Sequence, residues 1–339
     1  MILKTMKTKI ENIWQNFIEN DSLKTGIILK RYSADIIPDC FVSMRMPEKV
    51  KSIAFRISTK SINISSLSDL KDITSEIIPD EIDKDRSLIL ISLADNYLSS
   101  IFAILCEDLF QTVSAIEQEL VLIQALQNRF IQWKELFMMA KGSGLSPEKQ
   151  IGLFGELYLL KKLLLQTGLL AETLSIWTGP ETGIRDFEKN NCAIEVKTTH
   201  THNHQKIHIS NERQLDTALL QYLFLFHLSI EKRNSDENTL NTIVEEIYSI
   251  IGHNEFLGNI LKRKLISAGY FDHHQPIYQN MSFLIREEDF YKIENSFPRI
   301  EEKDLMKGVG DVKYSIILTS ETEQYRTNFN DILQNLDLS

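Results

Sequence analysis

Two carboxylates and a lysine near the middle of the chain have the types and spacing of a metal-dependent hydrolytic site. Asp186 lies nine residues before Glu195, and Lys197 follows Glu195 after one intervening residue. The pattern of Ala193–Val196 predicts a strand, and side chains alternate along a strand, so Glu195 and Lys197 should emerge on one face. A hairpin that turns at 189–191 would bring Asp186 beside Glu195.

This arrangement is electrostatically costly unless a cation joins it. Like charges close together raise a carboxyl pKa, and desolvation disfavours every ionised form. A divalent cation such as Mg²⁺ relieves both effects, polarises a phosphate and lowers the pKa of a bound water, which Lys197 could orient. The competing interpretation is a surface hairpin with scattered charges. The apolar Ile194 and Val196 favour a core strand instead.

A third acidic residue lies on a preceding helix, predicted over 147–166. Glu156 sits there in an otherwise apolar run, directly after Gly155. Gly152 and Gly155 lie three residues apart, on one helical face, and should let the helix approach the sheet closely. Glu156 would then join the metal site from the helix. The alternative is that it only snorkels to solvent or pairs with a nearby lysine.

A helix with Gly-Glu, then Asp, then Glu-x-Lys resembles the PD-(D/E)XK restriction-endonuclease-like superfamily. The chain more narrowly resembles a poorly characterised bacterial family of PD-(D/E)XK-motif proteins found near restriction and phage-defence genes. The resemblance covers most of the chain and is strongest over 147–216. The segments that carry it are GLFGELYLL, Trp177–Pro180, DFE, IEVKTT, Phe297–Ile300 and Val312–Ile316.

The resemblance implies a central mixed sheet flanked by helices and phosphodiester hydrolysis with Mg²⁺, for which Mn²⁺ could substitute. The implied catalytic residues are Glu156, Asp186, Glu195 and Lys197. The implied metal ligands are Glu156, Asp186, Glu195 and Val196. The implied neighbours of the substrate phosphate are Thr198, Thr199 and, on weaker grounds, Gln214. Arg185 stands where the superfamily's name has proline, at a position that varies widely.

Four histidines alternate after the predicted catalytic strand: His200, His202, His204 and His208. On one strand face they could bind a transition metal or DNA phosphates. As a solvated loop edge they would bind neither. We favour the loop, because short motifs often match by chance.

The charge balance limits how this chain can bind nucleic acid. Its 339 residues carry a formal net charge of -10, which argues against coating nucleic acid through bulk charge. A local DNA cleft is compatible with this charge, but binding by the isolated chain should be weak or need a partner. The longest apolar stretch, 218–228, is too short to span a membrane, so we expect a cytoplasmic protein. The cysteines are far apart and should be buried, reduced thiols: Cys40, Cys106 and Cys192.

We predict an α/β protein, α+β overall, in four segments. Residues 1–100 form a β-rich domain, 101–145 a helical connector, 146–235 the nuclease core and 236–339 an α+β extension. In the extension, the pattern predicts helices over about 238–251 and 254–268, ended by Gly252 and Gly269, and strands over 280–285 and 290–293. Within the connector, apolar residues recur every seven positions: Leu109, Ile116, Ile123, Phe130 and Phe137. They could form a coiled-coil dimer seam, but a helix packed on its own chain is favoured.

The predicted function is therefore a Mg²⁺-dependent DNA endonuclease in a bacterial restriction or phage-defence system. It would leave a 5′-phosphate and a 3′-hydroxyl. The alternative is a catalytically silent DNA-binding or scaffold subunit, and a plain protein-interaction module is a third. Besides DNA, the expected partners are a second copy of the chain, an ATPase or a methyltransferase-linked subunit.

Overall fold

The structure is a computed structural model, and the residues that it describes are 8–19, 25–59, 72–181, 183–200 and 205–338. Contacts divide the chain into two compact units, Ile2–Gly142 and Ser143–Ser339. This division is coarser than the four predicted segments, which stay a prediction. The described residues contain helices and three sheets in a mixed α/β arrangement, so the fold class is confirmed at that level.

The described residues of the first unit form an antiparallel sheet and the helices α1 to α3. Its elements are α1 (Lys9–Glu19), β1 (Gly26–Arg31), β2 (Cys40–Met46), β3 (Val50–Ser58), β4 (Ile73–Pro79), β5 (Arg86–Leu93), α2 (Ser99–Val113) and α3 (Glu119–Ala140). The strand order is β1-β2-β3-β5-β4. The near-continuous apolar run of β5 is buried along almost its whole length, as expected of a strand covered on both faces. The β-rich character predicted for this region is confirmed.

The predicted connector is two helices that contact each other, α2 and α3. Four of the five residues in the seven-residue repeat are buried, and Ile116 lies between the helices. The favoured interpretation, helices packed on their own chain, is therefore confirmed. The three cysteines are also buried and free, as predicted.

The second unit is built around a mixed sheet. Its elements are α4 (Pro147–Thr167), α5 (Leu170–Ile176), β6 (Phe187–Lys189), β7 (Cys192–Thr199), β8 (Lys206–Ile209), β9 (Tyr222–Arg233), α6 (Leu240–Ile251), α7 (Glu255–Ser267), α8 (Gln275–Tyr278), β10 (Ser282–Lys292), β11 (Tyr314–Ile317), β12 (Arg326–Thr327) and α9 (Phe329–Asn335). The sheet order is β12-β10-β9-β7-β6, and its parallel pair is β7 with β9. Strands β8 and β11 form a separate two-stranded sheet.

Helix α4 forms where the sequence predicts it. The Ser146 side chain accepts a hydrogen bond from the Lys149 N–H, and Pro147 opens the first turn. Gly168 ends the helix with φ 65, a left-handed conformation that glycine adopts without strain. The buried face of α4 packs on β7 and on α6.

The two faces of the mixed sheet are covered differently. One face carries a large apolar core with side chains from α4, α5, α6, α7 and α9. On the other face, the described buried side chains come from strands and turns, including Ile207, Ile209 and Ile316 of the β8–β11 sheet. Helices on both flanks are therefore not observed in the described residues. Every second side chain of β8 is buried against the mixed sheet, so the β8–β11 sheet covers this face.

Candidate active site

The predicted hairpin forms between β6 and β7. Phe187 pairs with Ile194 and Lys189 with Cys192, and Asn190 turns the chain with φ 54. The strand is longer than predicted, running through Thr199. It places Glu195 and Lys197 on the same face, because their positions differ by two.

Glu195 and Lys197 form an ion pair in a buried setting. The Lys197 Nζ lies 2.6 Å from Glu195 Oε1, and 1% of the Glu195 side chain is exposed. The other oxygen, Glu195 Oε2, is buried and has no hydrogen-bond partner among the residues that the structure describes. Lys197 Nζ also donates to Gln214 Oε1 at 3.1 Å, and that oxygen accepts the Ser210 N–H at 2.9 Å. The Lys197 ammonium is thus fixed between a carboxylate and an amide.

Asp186 lies at the start of the hairpin and is held through its backbone and its side chain. Its Oδ2 accepts the Val196 N–H at 2.7 Å. Its carbonyl oxygen accepts the N–H groups of Thr178 and Gly179 at 2.9 and 3.0 Å. The second carboxylate oxygen, Oδ1, is the one that faces Gly179.

Glu156 reaches the same place from α4. The indole Nε1 of Trp177 donates to Glu156 Oε2 at 2.8 Å. Gly155 permits the close approach of α4 to β7, since a Cβ there would lie 1.9 Å from Thr198 Oγ1. The prediction that Gly152 has the same role is wrong, because no described residue of another element lies within 4 Å of a Cβ built at that position.

A small gap beside Gly179 separates two of the carboxylates. A Cβ at Gly179 would lie 2.9 Å from Asp186 Oδ1 and 3.0 Å from Glu156 Oε2. Glycine therefore leaves open a space that two carboxylate oxygens border. Glu156 and Asp186, 30 positions apart in the sequence, are brought together around this space.

Burial raises the pKa of all three carboxyl groups. For Glu156, burial and then the charge of Asp186 raise the pKa well above its usual range. For Glu195 the same two causes raise the pKa to about 8, against the opposing effect of Lys197. Burial also raises the pKa of Asp186, although Lys197 and the Val196 N–H oppose it. Burial would lower the pKa of Lys197, but Glu195 and Asp186 raise it overall. The site is therefore short of positive charge.

The donor set fits a hard divalent cation that completes its coordination with water and substrate. Glu195 Oε2 is an orphaned buried acceptor, and the gap beside Gly179 is bordered by Asp186 Oδ1 and Glu156 Oε2. Among the described residues, no group of three or more His, Cys, Asp or Glu side chains is arranged so that it could hold a metal ion by itself. Mg²⁺ commonly binds through one or two carboxylates plus waters and phosphate oxygens, so an incomplete protein shell suits it.

The three predicted neighbours of the substrate phosphate have different surroundings in the structure. Gln214 contacts Lys197 directly. Thr198 lies on the opposite side of the strand, with its Oγ1 buried against Gly155 and without a hydrogen-bond partner among the described residues. Thr199 Oγ1 lies 2.9 Å from Nε2 of the buried His227. The threonines are therefore packed inside the sheet, and their contact with a phosphate stays a prediction.

The histidine run is only partly described. His200 follows β7, His202 and His204 lie outside the described residues, and His208 is on β8. His208 Nδ1 lies 2.9 Å from the Ser315 hydroxyl of the neighbouring β11. The described histidines thus contribute to no metal-ligand group.

Three residues close to the site had no role in the sequence prediction. Trp177 and Gly179 belong to a segment that carried the family resemblance, and a Gly-Pro pair is a turn signal, but neither predicts a contact with Glu156. Arg185, which replaces the proline, is buried. It donates to the Asp216 carbonyl at 2.5 Å, and its charge lowers the pKa of Glu195.

The mixed sheet and the Asp, Glu-x-Lys hairpin beside a helical glutamate together define a protein of the PD-(D/E)XK class. Residues 10–319 match the family described as "Putative PD-(D/E)XK family member, (DUF4420)", and the chain belongs to this family. The resemblance seen in the sequence is thereby confirmed. No protein with a curated description and no solved structure matches the chain. In the described parts of the chain, no helix combines the length and the apolar character needed to cross a membrane.

Proposed function

We propose that this protein is a Mg²⁺-dependent DNA endonuclease of a bacterial restriction or phage-defence system. The observation that carries the proposal is the buried Glu195, whose Oε1 pairs with Lys197 while its Oε2 has no hydrogen-bond partner in the described part of the chain. Burying a carboxylate oxygen without a donor is costly. That cost is offset if the oxygen ligates a cation. Family membership supports the class of reaction, and the DNA substrate and the defence context are our proposal.

Glu156, Asp186 and Glu195 would hold the ion, with the backbone carbonyl of Val196 as a further ligand. Mg²⁺ would polarise the scissile phosphate and lower the pKa of the attacking water. The Trp177 indole keeps Glu156 aimed at the site, and the Val196 N–H does the same for Asp186.

Lys197 is the residue best placed to act on the reacting groups. Glu195 and Gln214 fix its ammonium at the same face of β7, and burial strengthens its electrostatic effect. It would orient the attacking water and stabilise the charge that develops on the phosphate. The products would carry a 5′-phosphate and a 3′-hydroxyl.

The test is plasmid cleavage with Mg²⁺, comparing wild type with Lys197→Ala. We expect Lys197→Ala to lower the cleavage rate by at least about 100-fold, the scale for losing one electrostatic stabiliser. The melting temperature should fall, because the buried Glu195 carboxyl loses its ion pair, so cleavage is compared at a temperature where both proteins are folded. Lys161→Ala is the control, since it removes a half-buried lysine that pairs with Glu246. Cleavage by Lys197→Ala at the wild-type rate would overturn the assignment.

We also propose that cleavage in cells needs another subunit, an ATPase or a methyltransferase-linked reader. The support is the net charge of -10, which predicts weak DNA affinity that falls steeply with salt. Binding of the isolated chain to a DNA duplex, measured over a salt series, tests this. Tight and salt-insensitive binding would contradict it.

A further inference from the structure

Trp177 is held at both of its ends by residues that are distant in sequence. Its indole Nε1 donates to Glu156 Oε2 at 2.8 Å. Its carbonyl oxygen accepts a hydrogen bond from Lys264 Nζ at 2.5 Å. The carbonyl stands at the end of α5, where helical carbonyls lack an intrahelical partner. One residue thus connects α7 to a carboxylate of the candidate site.

Lys264 is a buried lysine of α7. It lies near the end of α7, its side chain is 4% exposed, and it is buried against the turn that follows α5. Its second partner is Glu181 Oε2, at 2.9 Å. Burying an ammonium is expensive unless it is paired and hydrogen-bonded, and both partners of Lys264 belong to the segment 177–181.

The segment 177–181 also fixes the other carboxylate that borders the gap. The N–H groups of Thr178 and Gly179 donate to the Asp186 carbonyl oxygen. Gly179 itself forms the wall of the gap between Asp186 Oδ1 and Glu156 Oε2. A displacement of this segment would therefore move the Trp177 indole, the wall of the gap and the backbone of Asp186 together.

We infer that Lys264 is a positioning residue for the metal site, acting through the segment 177–181 on Glu156 and Asp186. This inference rests on the proposed function for its effect on catalysis. Lys264 does not touch the reacting atoms. It fixes the Trp177 carbonyl, and Trp177 in turn fixes the direction of the Glu156 carboxylate. The C-terminal part of the chain, through α7, thereby sets the affinity for the divalent cation.

The competing role is that Lys264 only neutralises Glu181. The two roles differ in which partner matters. About half of the Glu181 side chain is exposed, so water can solvate its carboxylate when the ammonium is removed. The Trp177 carbonyl has no such access, because Trp177 is 0% exposed. Glu181→Gln should therefore leave the site intact, whereas Lys264→Met should not.

The first measurement is the Mg²⁺ concentration that gives half-maximal plasmid cleavage. Lys264→Met keeps an apolar stem and removes the ammonium. We expect it to raise the half-saturating Mg²⁺ concentration by about 10- to 100-fold, the usual scale for residues that orient metal ligands. The rate at saturating Mg²⁺ should stay close to wild type. Lys161→Met, which loses its ion pair with Glu246 and its contact with the Tyr158 ring, should leave both quantities unchanged.

The second measurement needs neither metal nor DNA. The indole N–H signal of Trp177 in the nuclear magnetic resonance spectrum, assigned with Trp177→Phe, reports its hydrogen bond to Glu156. Lys264→Met should shift this signal, and Glu181→Gln and Lys161→Met should not. If wild type cleaves no DNA, the nuclease proposal falls, but this signal still decides whether Lys264 positions the segment.

A double-variant comparison separates positioning from general stability. If Lys264 acts through Trp177, adding Lys264→Met to Trp177→Phe should raise the half-saturating Mg²⁺ concentration little further. If Lys264→Met does not fold, Lys264→Gln replaces it, with a smaller shift in the same direction. A wild-type Mg²⁺ dependence together with an unmoved Trp177 signal in the folded variant overturns the inference. So does an equal effect from Glu181→Gln.

Discussion

Glu301 and Glu195 are buried carboxyl groups of the same compact unit, 4% and 1% exposed, and their surroundings are opposite. Glu301 Oε1 accepts the Thr217 hydroxyl at 2.6 Å and Arg299 Nε at 3.0 Å, and Lys303 pairs with Oε2. Glu195 pairs with Lys197 through one oxygen and leaves the other without a donor.

The pKa values follow from this difference. Burial alone would raise the pKa of Glu301, but Lys303, Thr217 and Arg299 together lower it to about 2. Burial raises the pKa of Glu195 to about 8, with Asp186 adding to the effect. A carboxylate that serves stability is saturated with donors, whereas one that serves a cation keeps an oxygen for it. The predictions below test this contrast, from the largest expected effect to the smallest.

Replacing Glu301 should cost stability. Glu301→Gln removes the negative charge and places an amide N–H₂ where either Arg299 or Lys303 needs an acceptor, so the free energy of unfolding should fall by about 2 kcal/mol. Urea unfolding at neutral pH measures this. Glu302→Gln, at an exposed neighbouring position, is the matched control. If Glu301→Gln were as stable as the control, Glu301 would not be a stabilising carboxylate and the contrast with Glu195 would fail.

The same variant gives a pH dependence of known sign. The folded pKa of Glu301 lies below the ordinary value of 4.5, so its stabilisation is complete above 4.5. It is lost as the pH falls from 4.5 towards 2, because the unfolded state takes up the proton in this window while the folded carboxylate stays ionised until about 2. The stability difference between wild type and Glu301→Gln should shrink over that window. A difference that grows towards low pH would contradict the assignment.

Filling the gap beside Gly179 should weaken cation binding. The added methyl of Gly179→Ala would lie about 3 Å from carboxylate oxygens of Asp186 and Glu156. We expect Mg²⁺ affinity to fall by at least about tenfold, the low end for disturbing groups around a metal. Calorimetric titration with Mg²⁺ measures this affinity. An unchanged affinity would show that the gap is not part of the cation site.

Gly152→Ala is the control for Gly179→Ala. It also has a predicted effect of its own, which is smaller. A Cβ at Gly152 meets nothing within 4 Å, and the residue lies inside α4. The substitution should raise the free energy of unfolding by about 0.5–1 kcal/mol and leave Mg²⁺ affinity unchanged. Gly155→Ala should instead destabilise, because of its contact with Thr198. Equal stability changes for the two variants would contradict the packing described for α4.

Local patterns predicted much of this fold. The caps of α4, the glycines that follow α6 and α7, and the alternation along β7 are short-range signals. The three helices begin and end within two residues of their predicted positions, and β7 runs three residues beyond its predicted end. One strand was divided incorrectly. The predicted pieces 280–285 and 290–293 belong to the single strand β10, whose middle carries exposed charged residues and a register shift. A run of exposed charged residues inside a strand has the same polar sequence pattern as a turn between two strands.

The residues of the candidate site also differ in whether the sequence alone could predict them. Asp186, Glu195 and Lys197 could be predicted because one hairpin brings them together, and alternation fixes their face. Gly179 and Lys264 could not, since their importance depends on tertiary contacts with residues far along the chain. Lys264 is 87 positions from Trp177, and no local pattern encodes that distance.

Thermal unfolding with and without Mg²⁺ tests the central claim most directly, namely that the carboxylates around Glu195 lack a positive charge that a divalent cation supplies. A ligand at 100 times its dissociation constant stabilises the folded state by about 2.7 kcal/mol. Saturating Mg²⁺ should therefore raise the melting temperature of wild type by several degrees, and raise that of Glu195→Gln much less. An unchanged melting temperature of wild type in saturating Mg²⁺ would contradict the account.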